Sequence, residues 1–68
     1  MSEALNTRFV HGKKLYQLNR GAKFFVVGWT NDEPITLNRL DGMYSICTYK
    51  GETAHIAGYA EVVEVINE

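Results

Sequence analysis

Cys47 and His55 are the residues of this chain whose types best match a reactive or metal-binding pair. They lie in predicted strands joined by a tight turn over residues 50–52, so we expect them to be cross-strand neighbours. A thiol beside an imidazole provides a nucleophile and its base, or half of a zinc site. His11 and an acid would have to complete the zinc site, yet none of the usual ligand spacings is present, and no third residue orients a nucleophile. The sequence therefore favours a small buried thiol beside a hydrogen-bonded histidine, with no metal, no cofactor and no enzymatic activity.

Aromatic side chains with polar ends lie near several predicted turns, namely Trp29, Tyr44, Tyr49 and Tyr59. Such rings stack on nucleobases or on peptide side chains while their polar groups form hydrogen bonds. A nucleotide-type ligand needs stacking groups together with donors, and the set predicted to provide both is Tyr44, Tyr59, His55, Arg39 and Lys23. The alternative is that the rings close the mouth of a barrel or pack at an interface.

The charges of the chain are balanced in number but unevenly distributed. Seven basic and eight acidic residues give a formal net charge of −1. Five of the basic residues lie within the first 23 positions, whereas no Lys or Arg follows Gly51. This asymmetry fits a basic ligand-facing patch, a contact between copies of the chain, or an ordinary mixed surface. Nucleic acid ranks below these partners, because domains dedicated to it usually carry a clear positive excess.

The elements that position these residues are predicted to be strands. Two stretches of alternating apolar and polar residues, 35–40 and 43–48, flank the pair Asp41-Gly42. This arrangement is the strongest short-range signal for a hairpin. We predict a type I′ turn with Asp41 and Gly42 at its two central positions, since glycine adopts positive φ freely and aspartate tolerates it.

Three further strands complete the predicted fold. Residues 23–29 form an apolar run rich in Phe and Val, and residues 53–57 and 61–66 follow tight turns. Leu15 and Leu18 suit a bent segment that enters a barrel, although a short helical turn fits their spacing too. Five short strands with tight turns predict an all-β protein, a small five-stranded antiparallel SH3-like barrel, with an OB-like barrel as the alternative.

We expect a single domain over residues 13–68, preceded by a poorly patterned lead-in segment over residues 1–12. The lead-in is polar apart from Phe9 and Val10, and it is expected to be mobile or to form a short edge strand. The N-terminus lacks the charged and apolar regions of a signal peptide, and no apolar run reaches the ~18 residues of a membrane span. With one unpaired thiol, a cytoplasmic location without a membrane partner is expected.

The size of the chain favours self-association. A chain of 68 residues hides only about 60% of its surface on folding, so burial and ordering entropy nearly cancel. The single cysteine leaves no disulfide to compensate. In the last strand, Val63 and Val65 share one face while Val62 and Ile66 share the other. The face that does not enter the core is a candidate subunit interface, unless the lead-in covers it.

Four segments of the sequence resemble a pattern that recurs in small uncharacterised proteins of tailed phages: Gly21-Ala-Lys-Phe24, Asp41-Gly-Met-Tyr-Ser-x-Cys47, His55, and Glu61-Val-Val-Glu-Val65. The resemblance covers about residues 15–65 and implies a phage origin, but it brings no established activity with it. Given a phage origin, we expect a non-enzymatic accessory or anti-defence protein, and by analogy one whose homo-oligomer sequesters a small anionic or nucleotide-type signal between subunits. The alternatives are an interaction module that inhibits a host protein and a single-stranded nucleic-acid binder.

Overall fold

The computed structural model describes residues 7–67, which form six β-strands and one short 3-10 helix. In chain order the elements are β1 (Thr7–Lys14), η1 (Leu15–Gln17), β2 (Lys23–Val26), β3 (Ile35–Asp41), β4 (Tyr44–Tyr49), β5 (Glu52–Ala57) and β6 (Glu61–Asn67). The protein is therefore all-β, as the sequence predicted. No helix in the described residues has the length and apolar character needed to cross a membrane.

The strands form one antiparallel sheet in the order β1-β6-β2-β3-β4-β5. β2 to β5 follow one another as a meander, and β6 returns to lie between β1 and β2. Within the described residues no ladder joins the two edge strands, β1 and β5, so the sheet curls around a core without closing. The closed five-stranded barrel expected from the sequence is thus replaced by an open sheet of six strands.

The sixth strand comes from the N-terminal segment. β1 starts at Thr7 and pairs with β6 along its whole length, with an irregularity between Val10 and Lys13 where Gly12 adopts a φ of 79°. Residues 7–12, half of the predicted lead-in, are therefore edge strand, and the expected start of the domain at residue 13 falls inside β1. Its sequence gave a weak signal because alternation is interrupted at this bulge and most of its side chains are exposed. Residues 1–6 of the lead-in lie outside the described residues.

The core occupies the inner face of the sheet, and every strand except β1 contributes to it together with η1. Its buried apolar residues are Leu15, Leu18, Phe24, Val26, Ile35, Leu37, Cys47, Ile56 and Val62. Because side chains alternate along a strand, the neighbours of these residues project from the opposite, outer face. Val62 is therefore the core residue of its strand, and Val63 and Val65 lie on the outer face.

The two tight hairpins differ in turn type, and the β3–β4 turn is displaced by one residue from its predicted position. Asp41 pairs with Tyr44, so the turn residues are Gly42 and Met43, and Asp41 has no positive φ. Gly42 has a φ of 63°, and glycine at the first turn position with positive φ is typical of a type II′ turn. The type I′ geometry occurs instead between β4 and β5, where Lys50 and Gly51 both have positive φ.

Two short segments attach to the sheet through specific contacts. The spacing of Leu15 and Leu18 reflects a short helical turn, because η1 begins at Leu15 and is capped by Leu18. Tyr16 N–H in this turn donates to the carbonyl of Gly58 at 2.8 Å. The loop between β2 and β3 is held by Asp32, whose carboxylate accepts hydrogen bonds from Lys50 Nζ and from the hydroxyl of Tyr49. These bonds lower the pKa of Asp32, the Lys50 contribution being the largest.

Candidate functional site

The outer face of β3, β4 and β5 carries two rows of facing side chains. β3 has an extra residue at Asn38 relative to β4, and this bulge sets the pairing of the residues that follow it. One row is Arg39, Ile46 and His55, and the next is Asp41, Tyr44 and Ala57. Directly paired residues have Cβ atoms about 4.5–5.5 Å apart, and diagonal neighbours are about 7–8 Å apart. Tyr44 and His55 are such diagonal neighbours.

A surface depression of about 400 Å³ lies over these rows. It is lined by Asp41, Tyr44, Ser45, Ile46 and His55. Tyr44 is 61% exposed, so the residue is accessible to a ligand. Half-buried Ile46 is the central residue of the site, since Tyr44 is its neighbour along β4 and His55 its partner on β5. The depression therefore combines an aromatic face, an imidazole, a carboxylate and an apolar residue.

These groups suit recognition of a planar, hydrogen-bonding ligand. A ring can stack on Tyr44, while His55 and the Asp41 carboxylate offer hydrogen bonds at its edge. Asp41 also makes this depression unfavourable for a phosphate, because a carboxylate repels an anion at short range. The anionic part of a nucleotide would have to lie elsewhere.

A second depression of about 400 Å³ lies along the opposite side of β3. It is lined by Leu18, Arg20, Leu37, Arg39 and Leu40. Arg20 and Arg39 thus line one depression although they are far apart in sequence, because the 18–22 segment runs beside β3. Two backbone hydrogen bonds hold this segment against β3. Gly21 N–H donates to the Leu37 carbonyl at 2.7 Å, and Leu37 N–H donates to the Ala22 carbonyl at 2.8 Å. Two arginines that line the same depression favour an anion there.

The five predicted ligand residues are distributed over several places. Tyr44 and His55 line the first depression, and Arg39 lines the second. Lys23 lies on β2, where Nζ donates to the hydroxyl of Thr36 at 3.0 Å. Tyr59 lies in the β5–β6 turn and lines a third, mainly apolar depression of about 270 Å³ with Tyr16, Gly42, Met43 and Gly58. The structure therefore unites only Tyr44 and His55 in one depression.

The predicted contact between Cys47 and His55 is wrong. Cys47 pairs with Ala54 and points into the core, whereas His55 pairs with Ile46 on the outer face. Burial raises the pKa of the Cys47 thiol, while a contact with the Ser45 hydroxyl at 3.2 Å opposes this shift. The Ser45 hydroxyl itself donates to the carbonyl of Ile56 at 2.8 Å. The buried thiol of the sequence analysis is therefore present, but its polar neighbour is a serine.

Sequence analysis missed Asp41, Ile46 and Arg20 as site residues. Asp41 was assigned to a turn, and the place of Ile46 in the site follows only from the register of β4 with β3 and β5. Arg20 carries no local signal, since only the packing of its loop against β3 brings it to Arg39. Among residues 7–67, no group of three or more His, Cys, Asp or Glu side chains is placed to hold a metal ion.

Comparisons with known proteins give no relative for this chain. No protein-family model, no curated protein and no solved structure matches it. The functional argument therefore depends on the geometry of the outer face.

Proposed function

We propose that the protein is a non-enzymatic binding protein that sequesters a small nucleotide-type ligand across β3. The observation that carries the proposal is the position of Tyr44 and His55 in one exposed depression on the outer face. The base of the ligand stacks on Tyr44 and forms hydrogen bonds with His55 and Asp41. Base–aromatic stacking contributes about 1–3 kcal/mol, which makes Tyr44 the main anchor.

The anionic group of the ligand is assigned to the neighbouring depression. Arg39 is separated from His55 by one strand, so the two side chains originate about 10 Å apart. Arg20 and Arg39 supply positive charge there, while Asp41 discourages an anion beside Tyr44. A ligand that has a planar end and an anionic end therefore fits the surface in one orientation.

The proposal extends to biological context. From the resemblance to small tailed-phage proteins, we propose an accessory protein that acts in the host cytoplasm against a nucleotide-derived defence signal. Self-association belongs to the same proposal, as does an SH3-like architecture, which is supported by a β2–β5 meander with β6 returning to pair with β2. An OB-like arrangement is the alternative architecture.

Ligand capture is tested by incubating the protein with the four ribonucleoside 5′-monophosphates, cyclic AMP and cyclic di-GMP. After removal of free nucleotide, the protein is denatured by heat and the released compound is analysed by chromatography. Release of one unchanged nucleotide supports sequestration. Appearance of a product instead shows catalysis, and release of none of the six compounds overturns the nucleotide proposal.

A second candidate function is supported by a separate cluster of exposed side chains. Met43 is 73% exposed and lines the third depression together with Tyr16 and Tyr59. Tyr and Met are enriched at protein interfaces, and no charged residue lines this depression. The cluster suits an apolar segment of a protein, in line with a module that inhibits a host factor. Met43→Ala would abolish such binding while leaving nucleotide binding unchanged.

A further inference from the structure

Tyr44 lies between a carboxylate on one neighbouring strand and an imidazole on the other. Asp41 of β3 pairs directly with Tyr44, and His55 of β5 is its diagonal neighbour. All three residues are exposed and line the first depression. Among residues 7–67, no group forms a hydrogen bond or ion pair with the Asp41 carboxylate or with the His55 imidazole. Both side chains are therefore available to a ligand that stacks on Tyr44.

The two flanking groups differ in their hydrogen-bonding capacity. The Asp41 carboxylate has two acceptor oxygens and no donor, whereas the His55 imidazole has at least one N–H donor in every protonation state. A carboxylate binds most strongly to two parallel N–H donors, as it does with a guanidinium group. The ligand should therefore present two adjacent donors toward β3 and an acceptor toward β5. These strands lie about 10 Å apart on either side of β4, so two fused rings bridge them better than one ring does.

Guanine is the common nucleobase with this polarity. Its N1–H and its N2 amino group are adjacent donors on one edge, and its N7 is an acceptor on the opposite side of the fused rings. Adenine and cytosine each have one amino group beside a ring nitrogen whose lone pair repels a carboxylate. Uracil has a single N–H between two carbonyl oxygens. Each of these three bases therefore offers Asp41 one favourable contact at most.

We propose that the first depression selects guanine nucleotides and that Asp41 is the residue that determines this specificity. The inference rests on the proposed function and specifies which base is bound. Guanine stacks on Tyr44, donates from N1 and N2 to the Asp41 carboxylate, and accepts a hydrogen bond from His55 at N7. Two hydrogen bonds to one carboxylate fix the orientation of the base as well as its identity, which stacking on Tyr44 alone cannot do.

An exchange of the carboxylate for an amide tests the pairing because it should reverse the preference between two bases. GMP and IMP differ only in the N2 amino group, so the wild type should bind GMP about tenfold more tightly than IMP or AMP. Asp41→Asn has one acceptor and one donor, which complement the N1–H and the C2 oxygen of xanthine. The variant should therefore bind XMP about tenfold more tightly than GMP, while the wild type prefers GMP. Partial unfolding of the variant could not produce this gain of XMP binding.

Isothermal titration calorimetry with GMP, AMP, IMP and XMP provides the measurement. Glu52→Gln is the matched control, since it also exchanges an exposed carboxylate for an amide but lies at the opposite end of the β4–β5 hairpin, and it should keep the preference for GMP. Wild-type affinities for GMP, AMP and IMP that agree within about twofold, or an Asp41→Asn variant that still prefers GMP to XMP, overturn guanine selection and leave the proposed function standing. Absence of binding by all four nucleotides at millimolar concentration overturns the proposed function and this inference with it.

Discussion

Asp41 of β3 lies directly opposite Tyr44 of β4, so the turn between these strands consists of Gly42 and Met43. The pairing puts the Asp41 carboxylate and the Tyr44 ring on the same outer face. A turn centred on Asp41 and Gly42, as the sequence suggested, would shift the register and move Asp41 out of this row. One residue of register therefore decides the composition of the candidate site.

Substitutions in the turn test this register. Gly42→Ala forces a side chain into a conformation with a φ of 63°, which should lower the free energy of unfolding by about 1–2 kcal/mol. Asp41→Ala should change it by less than about 0.5 kcal/mol, because Asp41 has ordinary strand geometry. Urea denaturation of both variants provides the measurement. A larger loss for Asp41→Ala than for Gly42→Ala would favour the turn predicted from sequence.

Gly58→Ala should disturb the junction beneath the exposed Met43. A Cβ atom at this position would lie 3.2 Å from the Met43 carbonyl oxygen, which already accepts the Gly58 N–H at 2.7 Å. We expect a loss of about 1–3 kcal/mol in unfolding free energy, as for other overpacked sites. Gly28→Ala should also lower the unfolding free energy, but for a different reason. Its Cβ atom would meet no atom within 4 Å, so the loss comes from the backbone φ of 91°. An unchanged amide spectrum around Met43 in Gly58→Ala would contradict this contact.

The buried thiol predicts a pH dependence of stability. Burial raises the pKa of Cys47 above its ordinary value of 9.0, so the folded state retains the proton that the unfolded state loses. The stability is therefore present below pH 9.0 and declines as the pH rises from there through the folded-state pKa. Urea denaturation at a series of pH values from about 8 to 10 should show this decline. Cys47→Ala should be less stable at pH 8 but should lose less stability over the same range.

The two faces of β6 should respond differently to substitution. Val62 is fully buried, so Val62→Ala should cost about 1–3 kcal/mol in unfolding free energy. Val63→Thr, on the outer face, should change the unfolding free energy by less than about 1 kcal/mol. Urea denaturation of the two variants under the same conditions provides the comparison. Equal losses of monomer stability would contradict the assignment of faces.

Local sequence patterns predicted the strands well where alternation or apolar composition was strong. β3, β4, β5 and β6 lie within a residue or two of their expected positions, and Leu15 and Leu18 enter the core. β2 ends at Val26, before the predicted end at Trp29, because Gly28 adopts a φ of 91° in a turn. Openness of the sheet could not be predicted, since it depends on whether the edge strands meet in space.

The candidate site was predictable only in part. Tyr44 and His55 are recognisable as exposed polar rings near turns, and the structure brings them together. The remaining positions depend on long-range geometry. The bulge at Asn38 determines that Arg39 pairs with Ile46. The loop before β2 places Arg20 in the depression that Arg39 also lines. Neither effect leaves a local pattern in the sequence.

The stacking role of Tyr44 makes a quantitative prediction. Tyr44→Ala should weaken binding of the captured nucleotide by at least tenfold, which corresponds to loss of about 1.4 kcal/mol of stacking energy. Tyr16→Ala removes another tyrosine that is more than half exposed, on η1, and should leave the affinity within about twofold. Isothermal titration calorimetry with the two variants provides the comparison. Equal losses of affinity in the two variants would contradict a specific stacking role for Tyr44.

The most direct test of the account is to map ligand binding by nuclear magnetic resonance. Amide and side-chain shifts of the 15N-labelled protein are followed while each nucleotide of the panel is added. The account predicts concentration-dependent shifts concentrated at Tyr44, His55 and Arg39, with none at Cys47 in the core. Shifts confined to Tyr16, Met43 and Tyr59, or no shifts with any nucleotide at millimolar concentration, would contradict it.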